Sequence, residues 1–204
     1  DLNIENGTVF KKLVDLEKLP LPSDDDAFKN SELTNLILKE SGYSRYEISN
    51  YCLPGHQSRH NRVYWSGSGW WGFGQGSTSS PWGEKLTRPR ISKDYKEWVI
   101  NQNKNGLESS LLNRDFLHEE LDERIMLGMR LKEGANIYKL LRDQKWSKKE
   151  FEDKLSKLMK EWKKFLDSGL LVKRGDRFFL SDPRGMELSN QILISMFKWW
   201  NDFN

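Results

Sequence analysis

The 204 residues are 36% hydrophobic and 31% charged, a folded and polar profile rather than a disordered one. A formal charge of +3 is too small to imply nucleic acid by itself, and no apolar run approaches bilayer-spanning length. The single cysteine, Cys52, excludes a disulfide within the chain and points to a reducing compartment, read as the cytoplasm.

In chain order, residues 1–10 read as a strand running into a turn at Asn6-Gly7, as though entered in mid-fold. The chain is therefore expected to be the C-terminal part of a longer protein. Leu19-Pro20-Leu21-Pro22 is a stiff connector. Ser23 with Asp26 forms a capping box for a helix reaching about Ser41, with Leu33, Leu36 and Ile37 on one face and Gly42 as its stop. Tyr43 to Ile48 is strand-like, a loop with Pro54-Gly55 follows, and Trp70 to Phe73 reads as a second strand before a glycine run. Lys85 to Ile91 reads as a further strand, and Ser92 caps a helix with Tyr95, Trp98 and Val99. This alternation predicts an α/β sheet with parallel strands.

Asn103-Lys104-Asn105-Gly106 is turn-rich and marks the expected boundary between residues 1–105 and 106–204. Beyond it Phe116 to Leu131 is amphipathic, and Asn136 to Gln144 is a short helix. Ser147 and Glu150 form a capping box opening a helix with Phe151, Leu155, Leu158, Trp162 and Phe165 at helical spacing, ended by Gly169. Leu170–Lys173 and Arg177–Leu180 form a hairpin about Gly175-Asp176, and a last helix carries Leu188, Ile192 and Phe197. Helices followed by a hairpin predict an α+β, winged-helix-like second domain. Its basic helix, with Lys148, Lys149, Lys154, Lys157, Lys160, Lys163 and Lys164, also carries Glu150, Glu152, Asp153, Glu161 and Asp167. A salt-bridged surface accounts for that mixture better than nucleic-acid binding, which stays an alternative to be tested by salt dependence.

The candidate site is His60-Asn61-Arg62-Val63-Tyr64-Trp65, which follows Tyr46-Glu47-Ile48-Ser49-Asn50-Tyr51 and precedes Trp71-Gly72-Phe73-Gly74-Gln75-Gly76. Imidazole is a common axial ligand of haem iron, and Tyr64 and Trp65 offer flat apolar surface to a flat macrocycle. Asn61 would orient the loop or hold the imidazole tautomer. A loop-positioning histidine and core aromatics are the structural alternative. Trp65, Trp70, Trp71 and Trp82 fall close together and suggest an aromatic-rich wall. Glu47 lies at the end of a predicted strand, where sites form in barrels; its alternative is an ion pair with Arg45, Arg59 or Arg62. Gly72, Gly74 and Gly76 permit close approach of backbone to a ligand, or a tight turn. Cys52, His56 and His60 recur every four residues, as zinc ligands on a helix would, but Pro54 and Gly55 lie inside that run and argue against a helix.

These three blocks in fixed order resemble the oxygen-independent coproporphyrinogen III oxidase-like family of radical-SAM proteins, most closely its haem-chaperone, HemW-like branch. The resemblance implies the C-terminal units of an open (β/α) radical-SAM barrel followed by a winged-helix-like domain. It implies haem contact at His60, Asn61, Tyr64 and Trp65, with His60 as the iron ligand, and YEISNY with Glu47 on the substrate side of the barrel. It implies delivery of haem to acceptor proteins, and SAM with a [4Fe–4S] cluster in the full-length protein. The family's CxxxCxxC motif is absent here, so this stretch alone is expected to hold no cluster and to be inactive toward SAM. Where relatives often continue Ala-His-Ser, this chain has Ser77-Thr78-Ser79, which leaves His60 as the leading nitrogen ligand and His56 as its nearby competitor. The close alternative within the family is porphyrinogen decarboxylation.

Overall fold

A computed structural model describes residues 4, 6–21, 23–81, 85–106 and 121–202. Pro22, Trp82 and the stretch 107–120, which includes Phe116 and His118, lie outside the described residues, as do Asp1–Asn3 and Glu5 of the expected first strand. The chain divides into two compact units, Asp1–Ser44 and Arg45–Asn204, a division placed earlier than the expected one at 105/106.

The first unit holds two helices. Val9 and Phe10, expected in a strand, begin helix α1 (Val9–Asp15), because the Thr8 hydroxyl accepts from the Lys11 amide and starts a helix after the turn at Asn6-Gly7. Helix α2 (Asp24–Glu40) is capped as expected: Ser23 Oγ accepts from the Asp26 amide at 3.1 Å, and Gly42 follows the C-terminus at φ +80°. The apolar face of α2 is not buried. Leu33, Leu36 and Ile37 are each more than half exposed, as are Val9 and Phe10 of α1.

β1 (Ser44–Arg45) straddles the division, and β2 (Tyr51–Cys52) follows it. The expected loop between Pro54 and Trp70 contains a helix, α3 (Arg59–Trp65). Ser58 starts it by accepting the Asn61 amide at 3.2 Å. Trp70 to Phe73 is not a continuous strand; only Trp70 bridges, to Ser80. β3 (Thr78–Ser79) pairs with β4 (Leu86–Thr87), and α4 (Ser92–Asn105) follows. Ser92 is the first residue of α4, not its cap, and Ile91 at the cap position offers no side-chain bond.

The core is built from α5 (Leu121–Arg130), α6 (Ile137–Arg142), α7 (Lys148–Asp167), α8 (Arg184–Glu187) and α9 (Ser189–Asn201) around a three-stranded sheet of order β5-β7-β6, with β5 (Ala135–Asn136), β6 (Leu171–Arg174) and β7 (Arg177–Leu180). The Ser147–Glu150 capping box that starts α7 is complete in both directions. On α7 the helical spacing buries Leu158, Trp162 and Phe165. Trp162 meets Phe178 of β7 with ring centroids 5.4 Å apart, and both are fully buried. Trp199 Nε1 donates to the Lys154 carbonyl at 2.9 Å and ties α9 to α7. Gly134 sits at φ +64°, and a Cβ there would strike the Phe178 carbonyl, so the strand entry requires glycine.

The pairs β3–β4, β5–β7 and β6–β7 are all antiparallel. The expected parallel strands do not occur among them. β6 and β7 are joined only by Gly175-Asp176, a connection too short for the crossover that parallel pairing needs. What the described residues form is a mixed helical fold with small antiparallel sheets.

Candidate functional site

Helix α3 carries the HNxxYW residues and displays them on two faces. On one, the exposed His60 and the half-buried Tyr64 lie one turn apart, with the Tyr64 hydroxyl 3.1 Å from His60 Nε2 and the rings edge-on at 5.0 Å. The other side of Tyr64 meets Trp70 edge-on at 4.8 Å. His60, Tyr64 and Trp70 thus form one aromatic group, in which Trp70 was not foreseen as a partner.

Trp65 is about 140° around the helix from His60. Its ring lies under the Arg130 guanidinium of α5, 5.3 Å from centroid to carbon. Asn61 points its amide nitrogen toward the Tyr46 hydroxyl at 3.5 Å, a long contact linking α3 to the YEISNY segment. Of the other tryptophans expected near Trp65 and Trp70, Trp71 is exposed and Trp82 lies outside the described residues.

The YEISNY segment is held against the end of α5 and by a clamp of its own. Ile48 N donates to the Arg130 carbonyl and Lys132 N to the Tyr46 carbonyl, so the segment pairs with the end of α5 through a Glu47–Leu131 bridge. Glu47 is fully buried; its Oε1 accepts from the Ser49 amide at 3.1 Å, while Oε2 has no hydrogen bond among the described residues. Two of the three arginines considered as its partners are engaged elsewhere: Arg45 with the Tyr51 hydroxyl and Asp182, Arg62 with Glu133. The buried carboxylate is a backbone clamp that closes a tight turn.

The glycine run is shaped by its own neighbours. A Cβ on Gly72 would strike the Thr78 carbonyl, and the Gly72 amide donates to Ser79 Oγ at 3.0 Å. Gly74 and Gly76 have positive φ, and the Gly76 amide donates to the Pro89 carbonyl. Buried Arg88 holds the same loop through Ser79 Oγ at 2.9 Å. The close approach at Gly72 is to protein backbone, which supports the tight-turn alternative for that residue.

Cys52 is buried on β2 and His56 lies in the following turn, so neither shares a helix with His60. Among the described residues no group of three or more His, Cys, Asp or Glu side chains is placed to hold a metal. One thiol does not fit an iron–sulfur cluster, which needs several. An exposed imidazole with one aromatic ring, Tyr64, edge-on to it is chemically compatible with one axial contact to a haem iron. Among the described residues no helix is long and apolar enough to cross a membrane.

The site is thus a short helix presenting an imidazole beside aromatic rings, braced by a buried carboxylate turn. Comparison with known proteins supplies its family. The chain is 32% identical to the haem chaperone HemW of Synechocystis over 97% of this chain and 50% of that protein. It is 31% identical to HemW of Mycobacterium tuberculosis over 68% of this chain and 35% of that protein. It is 26% identical to the mitochondrial radical S-adenosyl methionine domain-containing protein 1 of Danio rerio over 95% of this chain and 42% of that protein. The chain belongs to this HemW-like radical-SAM family and corresponds to the C-terminal half of its members. It spans about half the length of the curated relatives it matches. No family model and no solved structure matches it.

Proposed function

We propose that this chain is the haem-handling C-terminal part of a cytoplasmic radical-SAM haem chaperone, which binds haem and passes it to acceptor proteins. The observation that carries the reading is the exposed His60 imidazole on α3, edge-on to Tyr64, with Trp70 behind. The names of the relatives support haem as the ligand and S-adenosyl methionine in the full-length protein, where the family resemblance also implies a [4Fe–4S] cluster. Neither group is assigned to residues of this chain. In this reading His60 ligates the iron and Tyr64 packs on the macrocycle. Asn61 fixes α3 against Tyr46, and Trp65 anchors the helix to Arg130. Glu47 and the glycines at 72, 74 and 76 hold the loops around the helix rather than touching the ligand. The helices and antiparallel hairpin after residue 120 are read as the winged-helix-like part that follows the barrel. The basic face of α7 is laced by Lys157–Asp153 at 2.7 Å and Lys163–Asp167 at 2.9 Å, which supports a solvated surface there.

Haem titration tests the reading. The expected result is a Soret shift on binding that His60→Ala abolishes, while His56→Ala and His118→Ala leave it in place. An unchanged spectrum and affinity in His60→Ala would overturn His60 as the ligand. Protoporphyrinogen formation by the full-length protein would favour the decarboxylase instead.

A further inference from the structure

On the outer face of the β6–β7 hairpin a hollow of about 550 Å³ opens between the hairpin and the turn at residues 132–133. Val172, Phe179 and Leu180 supply its apolar surface, and Lys132, Arg174 and Arg177 reach its lining. Its two carboxylates are already matched. Glu133 is paired with Arg62 of α3, and Asp182 lies 3.5 Å from Arg45. The three cations are not. Arg177 donates to the carbonyls of Glu133 and Gly134, which orient it without neutralising it. Arg174 lies 4.8 Å above the Phe179 ring. Among the described residues none of Lys132, Arg174 and Arg177 forms an ion pair. Five cations (Arg45, Arg62 and these three) therefore meet two carboxylates, 5 − 2 = 3 charges in surplus.

A surplus of that sign around an apolar surface is complementary to one kind of molecule. An apolar body would take the surface now covered by Arg174, and an anionic head would satisfy guanidinium donors that otherwise face water. A guanidinium presents its donors as a planar fork, which matches a carboxylate. We propose that this hollow binds a carboxylate carried on an apolar body, the body against Val172 and Phe179 and the carboxylate between Arg174 and Lys132. This goes beyond the haem reading and does not depend on it, because no residue of the HNxxYW motif lines the hollow.

The test uses 1-pyrenebutyrate and its uncharged methyl ester on the 204-residue chain, with affinity read by fluorescence and location by NMR shifts. The acid is expected to bind at least roughly ten-fold more tightly than the ester, since the ester loses the charge-assisted bonds. Shifts should centre on Val172, Phe179 and Arg177. Arg174→Glu and Lys132→Glu should each remove the preference for the acid. Both side chains are exposed, so the fold should survive, and Arg174→Gln provides a milder version. His60→Ala should change nothing, which separates this site from the haem reading. Equal affinity for acid and ester would overturn the proposal. So would shifts confined to the exposed apolar residues of α1 and α2, which offer pyrene an uncharged surface.

Discussion

The Tyr64 hydroxyl stands 3.1 Å from His60 Nε2, one helical turn away on α3. The two side chains therefore engage one another directly. Under the proposed haem reading, ligation through Nε2 would have to break that contact.

Replacing Tyr64 by Phe keeps the ring and removes the competing hydrogen bond. A typical intramolecular hydrogen bond contributes about 1 kcal/mol net, so haem affinity should rise by up to roughly five-fold with the Soret position unchanged. Tyr64→Ala should instead weaken binding, because it also removes the ring proposed to pack on the macrocycle. A haem titration of the two variants checks both directions, and weaker binding by Tyr64→Phe would show that the hydroxyl helps rather than competes.

The burial pattern separates the core from the exposed helices. Trp162→Ala or Phe178→Ala should cost about 3–5 kcal/mol, since each fully buried ring leaves a cavity against the other. Leu33→Ser and Leu36→Ser on α2 should each cost less than about 0.5 kcal/mol in this chain, because both side chains already meet water. Urea denaturation of the four variants measures the contrast.

How far the fold was legible follows how local its causes are. The Ser147–Glu150 box, the apolar spacing from Leu155 to Phe165 and the turn at Gly175 lie within a few residues of what they build, and the structure has all three. Helix α3 was not anticipated. It is seven residues long and follows Pro54-Gly55, and its one local signal was Ser58 three residues before Asn61. Its remaining support is tertiary: Tyr46 near Asn61, Arg130 over Trp65 and Glu133 beside Arg62. No spacing rule links residues so far apart in the chain. The same holds at the site. The residues of HNxxYW could be read from the sequence, but their separation onto two helix faces, and the entry of Trp70, needed the helix.

Glu47 distinguishes a clamp from a charge. Its Oε1 holds the Ser49 amide, and among the described residues no arginine is paired with it. Glu47→Gln retains an acceptor at that position and should be close to neutral in stability. Glu47→Ala leaves the Ser49 amide without its partner and opens a void, and should cost about 1–3 kcal/mol. Thermal or urea denaturation of both variants decides the point, and a large loss in Glu47→Gln would show that the charge itself matters.

The capping box on α7 makes a pH-dependent contribution whose sign is fixed. Hydrogen bonds from the Ser147 hydroxyl, and then from its backbone amide, hold the Glu150 carboxyl below its ordinary value. A carboxylate with a depressed folded-state value stabilises the fold fully above its ordinary value. That contribution fades as the pH falls through the folded-state value, because protonation removes the acceptor charge. The coupling between Ser147→Ala and Glu150→Gln, measured as a double-mutant cycle in urea, should therefore be favourable at neutral pH and shrink as the solution is acidified below the ordinary carboxylate range. Above that range it should be flat, up to where other groups titrate. A coupling that grew on acidification would mean that the neutral acid, and not the carboxylate, is the form that caps α7.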